Sequence, residues 1–282
     1  MAITTEQADD IKRAWRGAAE YWTKHAPTIR AIFAPLTDKL IAAAGIAPGQ
    51  KVLDIAGGAG EPSLVIAERI ALQGVVTCTD IAPEMLAGAA QRAKEAKIAN
   101  IKFEVCSADA LPFPDNSFDA AVCRFGAMFF PDTLAALREV LRVLRPGGRV
   151  AFAVWGPAEH NPFFTVTRSI VARYFPPPTE DEDAPGAFRY AAPDKLAALW
   201  REAGALEVNE EVFAFPARAP MRAGQFWQFQ CELSDTLRGK IAQLSAAEIA
   251  AIERDVAMAA QPFFSRNTMD IPVQALLVTG RK

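Results

Sequence analysis

The spacing of hydrophobic residues changes several times along this chain. Between residues 51 and 155, short apolar runs alternate with longer segments in which apolar positions recur at helical spacing. These patterns predict strands over 51–55, 75–79, 101–106, 118–123 and 149–155, and helices over 62–72, 83–96 and 132–144. Strands and helices that alternate in this way form a mostly parallel sheet with helices on both faces, so we predict a doubly wound, Rossmann-like α/β fold.

Periodic segments also flank this region. Before it, helical spacing predicts helices over 4–24 and 29–44. After it, the patterns predict helices over 163–174, 193–203 and 221–264, and strands over 206–215 and 273–279. Ser245 and Glu248 are spaced as a capping box inside the last helical segment. The two added strands bring the predicted sheet to seven.

We divide the chain into a cofactor-binding core and additions to it. The core takes residues 47–155, 193–220 and 269–282, and the additions are helices over 1–46 and insertions over 156–192 and 221–268. Three prolines and four acidic residues predict an exposed loop over 176–183. Open α/β sheets bind ligands at the carboxyl ends of their strands. We therefore expect the N-terminal helices to cover the site, and segments 156–190 and 221–268 to form a cap over it.

Composition narrows the classes of function. The chain has 282 residues, 51% of them hydrophobic, and a net charge of −3, which is typical of a globular protein with a large core. This charge argues against a nucleic-acid surface, which needs clustered basic residues. The first residues lack a signal-peptide pattern, no apolar run approaches membrane-spanning length, and the four cysteines lack metal-binding spacing. We expect a cytoplasmic protein with no metal site.

The stretch from Val52 to Gly60 carries the clearest chemical signal. An apolar strand ends in Asp54, turns through three glycines and enters a helix, which lets backbone amides approach a ligand closely. Asp80 closes the next apolar run, where its carboxylate can accept hydrogen bonds from both hydroxyls of a ribose. The pattern therefore predicts a site for a nucleoside cofactor.

The loop departs from the fingerprint of dinucleotide-binding proteins. That fingerprint has a third glycine, but here Gly60 is followed by Glu61-Pro62-Ser63. The carboxylate of Asp54 would also repel a phosphate, whereas it would attract an ammonium or sulfonium group. Both features weaken the interpretation as a nicotinamide site.

Four segments of this core resemble the successive motifs of class I S-adenosylmethionine-dependent methyltransferases. They are Val52–Gly60, Asp80-Ile81, Ser107–Ala110 and Leu144–Gly148, spread over residues 50 to 155. The resemblance extends to the small-molecule subgroup of ubiquinone and menaquinone biosynthesis. It implies S-adenosylmethionine as the cofactor and S-adenosylhomocysteine as its product. One departure is Ala56, where the family usually has its first glycine, and a methyl group is tolerated there if the φ of this residue is negative.

The resemblance and the local chemistry together nominate the residues that bind the cofactor. These are Tyr21, Asp54, Ala56, Gly57, Gly58, Gly60, Asp80, Ile81, Met85, Asp109, Ala110 and Arg124. Asp80 is assigned to the ribose, although an aspartate at this position can also cap the helix that begins near Pro83. Asp54 is assigned to the ammonium group at the methionine end.

The adenine contacts rest on the resemblance alone. It implies that the Asp109 carboxylate accepts a hydrogen bond from the adenine amino group and that the amide of Ala110 meets a ring nitrogen. Ile81 and Met85 would then flank the base. The alternative for Asp109 is a polar turn, because aspartate is common in turns.

An aromatic stretch follows the fourth strand, next to the expected position of the transferred methyl group. The candidate lining of an acceptor pocket is Phe129, Phe130, Phe163, Trp227, His25 and His160. The aromatic residues can equally pack in the core, and the two histidines can equally be structural or solvated. No residue is assigned as a general base.

We therefore predict a methyltransferase that moves the methyl group of S-adenosylmethionine to an oxygen, carbon or nitrogen atom of a small, apolar or aromatic acceptor. A protein that binds or modifies the cofactor without methyl transfer is one alternative. An NAD-dependent oxidoreductase is another. Methyl loss to an acceptor tests the first alternative, and titration with each cofactor tests the second.

Overall fold

The computed structural model describes residues 5–71, 73–175, 181 and 183–282. Its strands are β1 (Lys51–Ile55), β2 (Val75–Asp80), β3 (Ile101–Val105), β4 (Phe118–Arg124), β5 (Leu144–Trp155), β6 (Leu206–Pro220), β7 (Phe264–Ser265) and β8 (Thr268–Arg281). Its α-helices are α1 (Thr5–Lys24), α2 (Ala26–Ala43), α3 (Ser63–Arg69), α4 (Pro83–Glu95), α5 (Thr133–Val143), α6 (Pro162–Val171), α7 (Lys195–Ala203), α8 (Ala223–Leu233), α9 (Asp235–Ile241) and α10 (Ala246–Ala260). The loop predicted over 176–183 falls mostly outside the described residues.

The described strands form one sheet in the order β3-β2-β1-β4-β5-β8-β6, with the short β7 paired to β8. Strands β1 to β5 pair in parallel, and β8 runs antiparallel between β5 and β6. This arrangement confirms the predicted doubly wound, mostly parallel α/β fold. The seven predicted strands correspond to β1 to β6 and β8, and β7 adds a short hairpin.

The order of the sheet reverses at β1. The chain moves outward from β1 to β2 and β3, and then returns to β4 on the other side of β1. The connections that leave β1 and β4 therefore diverge at the carboxyl ends of these strands, which opens a crevice between them. Such a crevice is the usual ligand site of an open α/β sheet.

Strands β6 and β8 are longer than predicted. β8 pairs with β5 only from Ala275 onward, whereas β6 and β8 continue to pair as far as Pro220 and Thr268. Alternate residues of this two-stranded extension are buried, among them Met269 and Ile271, and the extension packs against α6. The extra length is thus stabilised by pairing and packing between distant segments.

Helix α1 packs on α4 at the edge of the core. A Cβ atom at Gly88 would lie 2.1 Å from Thr23 Oγ1, so the missing side chain allows this close approach. Arg16 and Glu84 form an ion pair of 2.7 Å across the same interface. The apolar side of the contact is a small cluster of Ala18, Ala19, Ala59, Ala82 and Met85. Within the described part of the chain, no helix is both long and apolar enough to cross a membrane.

Candidate functional site

A cavity of about 1010 Å³, counted out to the solvent at its mouth, opens at the crevice beside β1. One part of its wall is polar and includes Thr79, Asp80 and Ser107, together with the backbone of the loop after β1. The other part is aromatic and consists of Trp15, Trp22, Phe33, Phe125, Phe129 and Phe130. A mostly apolar wall with a few polar groups is typical of sites for small molecules.

Asp80 ties the two loops of the polar part together. Its carboxylate accepts hydrogen bonds from the amides of Ala82, at 2.9 Å, and Gly58, at 3.0 Å. Burial raises the pKa of this carboxyl to about 6. Each carboxylate oxygen can accept a further hydrogen bond, and Asp80 lies on the cavity wall. The carboxylate can therefore fix the start of α4 and also bind hydroxyl groups of a ligand.

The backbone after β1 turns through left-handed conformations. Ala56 has a φ of 54°, Gly58 a φ of 54° and Gly60 a φ of 94°. The φ of Ala56 is therefore not the negative value at which its methyl group is readily tolerated, because the turn out of the strand already begins at this residue. A Cβ atom at Gly126 would lie 2.5 Å from the Ala56 methyl, so a glycine there provides the space for it. Gly60 faces α4, where a Cβ would lie 3.1 Å from Ala89, and it is absent from the cavity wall.

Asp54 is buried behind the loop. Its Oδ2 accepts a hydrogen bond of 2.5 Å from the hydroxyl of Ser63, and its Oδ1 has no hydrogen-bond partner. A Cβ atom at Gly57 would lie 2.8 Å from Asp54 Oδ2, and Gly57, not Asp54, lines the cavity. The Asp54 carboxyl therefore lies one layer behind the cavity wall, and its contact with the cofactor stays a prediction.

Burial of Asp54 makes the stability of the protein depend on pH. Desolvation raises the pKa of this carboxyl from 3.8 to about 7. A carboxyl with a raised pKa in the folded state favours folding when it is protonated, so its stabilising effect is lost as the pH rises from about 4 through 7. We expect the free energy of unfolding to fall with a slope of up to about 1.4 kcal/mol per pH unit in this range.

Urea unfolding of the ligand-free protein between pH 5 and 8 measures this slope. The Asp54→Asn variant keeps a hydrogen-bonding group beside Ser63 but has no carboxyl to titrate. Its free energy of unfolding should depend less on pH between 6 and 7.5 than that of the unchanged protein. Identical slopes for the two proteins would show that Asp54 is already ionised when the chain is unliganded.

Arg124 and Glu61 form a buried polar cluster at the end of β4. Arg124 donates to the hydroxyl of Thr37, at 2.7 Å, and to the carbonyl of Glu61, at 3.2 Å, and burial lowers its pKa. Glu61 receives a hydrogen bond of 2.7 Å from Arg92 on Oε1. Both Arg124 and Glu61 lie on the cavity wall. Arg124 was predicted to be a site residue. Glu61 was mentioned in the sequence analysis only because the segment after Gly60 lacks the third glycine of the dinucleotide fingerprint.

The predicted adenine residues divide into two groups. Ile81 and Met85 line the cavity. Asp109 and Ala110 are absent from the wall, and the amide of Ala110 donates to the carbonyl of Ser107 at 3.2 Å. A turn thus uses the Ala110 amide, and the predicted contact of this amide with the adenine stays a prediction. Cys106, Ser107 and Ala108 line the cavity in place of these residues.

Most of the predicted acceptor residues lie elsewhere. Phe129 and Phe130 are on the cavity wall, but Phe163 and Trp227 are buried in the core. The ring of Phe163 packs 5.8 Å from Phe226 and 6.3 Å from Phe229. None of the described residues of 156–190 and 221–268 is on the wall of this cavity, so the cap over the site stays a prediction. The aromatic residues of these segments pack on one another.

Tyr21 and the two histidines also lie off the cavity wall. The Tyr21 ring has the guanidinium of Arg238 4.9 Å above it. His25 hydrogen-bonds to Glu232, and Lys24 pairs with the same carboxylate at 2.8 Å. His160 is exposed in a short 3-10 turn. The contacts of Tyr21, Lys24 and His25 attach the end of α1 to α8 and α9, so Tyr21 and His25 have structural surroundings.

The sequence analysis missed the aromatic residues of the N-terminal helices as site residues. Trp15 lies 5.0 Å from the ring of Phe129, and Phe33 lies 5.2 Å from Phe125. Trp15 and Trp22 lie at helical spacing in the helix predicted over 4–24, where they form part of its apolar face. That spacing is the same whether the face covers a core or a cavity, so only the position of α1 over the crevice distinguishes them.

Comparison with known proteins identifies this architecture. Residues 32–163 match the ubiE/COQ5 methyltransferase family. A ubiquinone/menaquinone biosynthesis C-methyltransferase UbiE of Shewanella sediminis is 37% identical over 122 residues, which are 43% of this chain and 49% of that protein. Over these residues the chain is similar to the core of the S-adenosylmethionine-dependent methyltransferases. S-adenosylmethionine is the cofactor of that core.

Two further proteins show how much of the chain is similar to known proteins in sequence and in fold. An uncharacterised protein of Mycobacterium tuberculosis is 42% identical over 124 residues, 44% of each chain. The chain thus matches less than half of the length of these curated relatives. A Haemonchus contortus phosphoethanolamine N-methyltransferase, solved with S-adenosylmethionine, aligns with a TM-score of 0.56 over 94% of this chain and 60% of that one, at 16% identity. This likeness shows that the fold extends well beyond the matched core.

Proposed function

We propose that this protein transfers the methyl group of S-adenosylmethionine to a small, apolar or aromatic acceptor. The observation that carries the proposal is the continuity of the cavity, which joins a polar part beside Asp80 to an aromatic part under α1. A polynucleotide would need an open basic groove, whereas this cavity has Arg124 as its basic wall residue among those described.

The proposed cofactor position follows from the polar part. The Asp80 carboxylate would accept hydrogen bonds from the ribose hydroxyls, and Ile81 and Met85 would contact the adenine. The backbone from Ala56 to Gly58 would pass along the methionine end, near Arg124. The contact of Asp109 with the adenine stays a prediction.

The proposed acceptor position follows from the aromatic part. When bound, the cofactor supplies an electrophilic methyl group on a sulfonium, and the protein contributes alignment and exclusion of water. Trp15, Phe33 and Phe129 would hold a flat apolar acceptor against the loop after β4. No histidine, tyrosine or lysine lines the described wall, so the site suits an acceptor that is a nucleophile without a neighbouring general base of these types.

Calorimetry with S-adenosylmethionine, S-adenosylhomocysteine and NAD tests the cofactor assignment. We expect binding of the first two and none of NAD, since the carboxylates of Asp54 and Glu61 beside the loop after β1 disfavour a pyrophosphate. Transfer of a radiolabelled methyl group to a panel of phenols, quinols and aromatic amines then tests the reaction. Tight cofactor binding with no transfer to any acceptor would favour a non-catalytic protein, and NAD binding would favour an oxidoreductase.

A further inference from the structure

Two carboxylate oxygens near the proposed methionine end of the site accept no hydrogen bond from the residues that the structure describes. They are Asp54 Oδ1 and Glu61 Oε2, and both atoms are buried. Buried carboxylate oxygens are normally hydrogen-bonded, because removal from water is otherwise uncompensated. Each unpartnered oxygen therefore points to a donor that the protein itself does not supply.

The surroundings distinguish these two carboxylates. Asp54 is fully enclosed behind Gly57 and its other oxygen is held by Ser63. Glu61 is on the cavity wall, with 4% of its side chain exposed. Arg92 donates a hydrogen bond of 2.7 Å to Glu61 Oε1, whereas the buried Oε2 has no hydrogen-bond partner among the described residues. Of the two carboxylates, Glu61 is therefore the one that belongs to a residue of the cavity wall.

We propose that Glu61 Oε2 accepts a hydrogen bond from the α-ammonium group of the cofactor. The inference rests on the proposed function and assigns the ammonium contact to Glu61 instead of Asp54. Hydrogen bonding supports it, because Arg92 donates to Oε1 and the neighbouring Arg124 donates to a hydroxyl and a carbonyl, so neither arginine donates to Oε2. An ammonium group at this point would supply the missing donor.

A chemical double-mutant cycle tests this contact. Calorimetry would compare S-adenosylhomocysteine with its analogue in which hydrogen replaces the amino group, using the unchanged protein and the Glu61→Gln variant. In the unchanged protein, the amino group should strengthen binding about 10- to 100-fold, the range for hydrogen bonds to charged groups. In Glu61→Gln this ratio should fall to near 1. An undiminished ratio in the variant would overturn the proposal.

Two matched variants complete the experiment. Glu68→Gln removes the same charge from a surface residue that pairs with Arg30, and it should leave the ratio unchanged. Asp54→Asn removes the other unpartnered carboxylate, and it should reduce the ratio less than Glu61→Gln does. A larger reduction in Asp54→Asn would overturn the assignment to Glu61.

Binding of 5′-methylthioadenosine, which lacks the amino-acid part, controls for the integrity of the site. Its affinity should be the same in Glu61→Gln and the unchanged protein. If the variant does not fold, a structure of the unchanged protein with S-adenosylhomocysteine replaces it. A distance of about 2.7–3.2 Å from Glu61 Oε2 to the ammonium nitrogen would support the contact, and one beyond about 4 Å would overturn it. Failure of the unchanged protein to bind either cofactor would refute the proposed function instead.

Discussion

Replacement of Asp80 by alanine is expected to weaken the binding of S-adenosylhomocysteine by at least about 100-fold. The carboxylate would lose hydrogen bonds from the ribose, each of which contributes about 1.5–3 kcal/mol when one partner is charged. The amides of Gly58 and Ala82 would also lose their acceptor, so the loop after β1 and the start of α4 would no longer be held together. Calorimetry on the variant and the unchanged protein measures the loss.

Asp119→Ala is the matched control for Asp80→Ala. The Asp119 carboxylate accepts a hydrogen bond of 2.7 Å from the amide of Lys51 and pairs with Arg145, so it also joins a backbone amide to a second segment. It does so at the amino end of β1, away from the cavity. The control should lower stability and leave cofactor affinity within a factor of about three. Unchanged affinity in Asp80→Ala would refute the ribose assignment.

Replacement of Arg92 by alanine is expected to lower the free energy of unfolding by about 3–5 kcal/mol, the usual range when one partner of a buried ion pair is removed. The Arg92 and Glu61 side chains are 16% and 4% exposed, and no other side chain hydrogen-bonds to that carboxylate. The carbonyl of Ala59 would also lose its hydrogen bond from Arg92, at 2.5 Å. Alanine is a good helix former, so the loss would not come from helix propensity.

Urea unfolding of Arg92→Ala and two further variants distinguishes the cost of breaking a buried ion pair from the cost of removing a surface charge. Arg201→Ala breaks a surface pair in which both side chains are about half exposed, and it should cost less than about 1 kcal/mol. Adding Glu61→Gln to Arg92→Ala removes the unpaired carboxylate and should recover much of the lost stability. A loss below about 1 kcal/mol in Arg92→Ala itself would mean that water reaches Glu61 in solution.

The sequence was sufficient to predict the core of the fold. Strands β1 to β5 and helices α3 to α5 were recognised because their periodicity and their proline and glycine boundaries are local features. The capping box predicted at Ser245 is also a local feature, and it is confirmed by a hydrogen bond of 2.8 Å from the Ser245 amide to Glu248. The position of Asp80 at a strand end also followed from the pattern alone.

The structure was needed to decide which of the acidic residues near the loop after β1 lie on the cavity wall. Asp54, Glu61 and Asp80 all lie at strand or loop ends, and composition does not distinguish them. The left-handed turn that begins at Ala56 carries the chain so that Gly57 covers Asp54 and Glu61 reaches the wall. Such a turn depends on the space left by Gly126, which is 70 residues away in the chain.

The sequence by itself determined the α/β core, the order of its motifs and the presence of a nucleoside site. Only the tertiary structure decided what covers that site. Phe163 and Trp227 are aromatic residues on the apolar faces of helices, as are Trp15 and Trp22 of α1. Trp15 and Trp22 nevertheless line the cavity, whereas Phe163 and Trp227 pack in the core. The difference arises from contacts between distant segments, such as that of Trp22 Nε1 with the carbonyl of Leu233. Burial of an apolar residue is favourable against a ligand or against the core alike, so local pattern cannot separate the two.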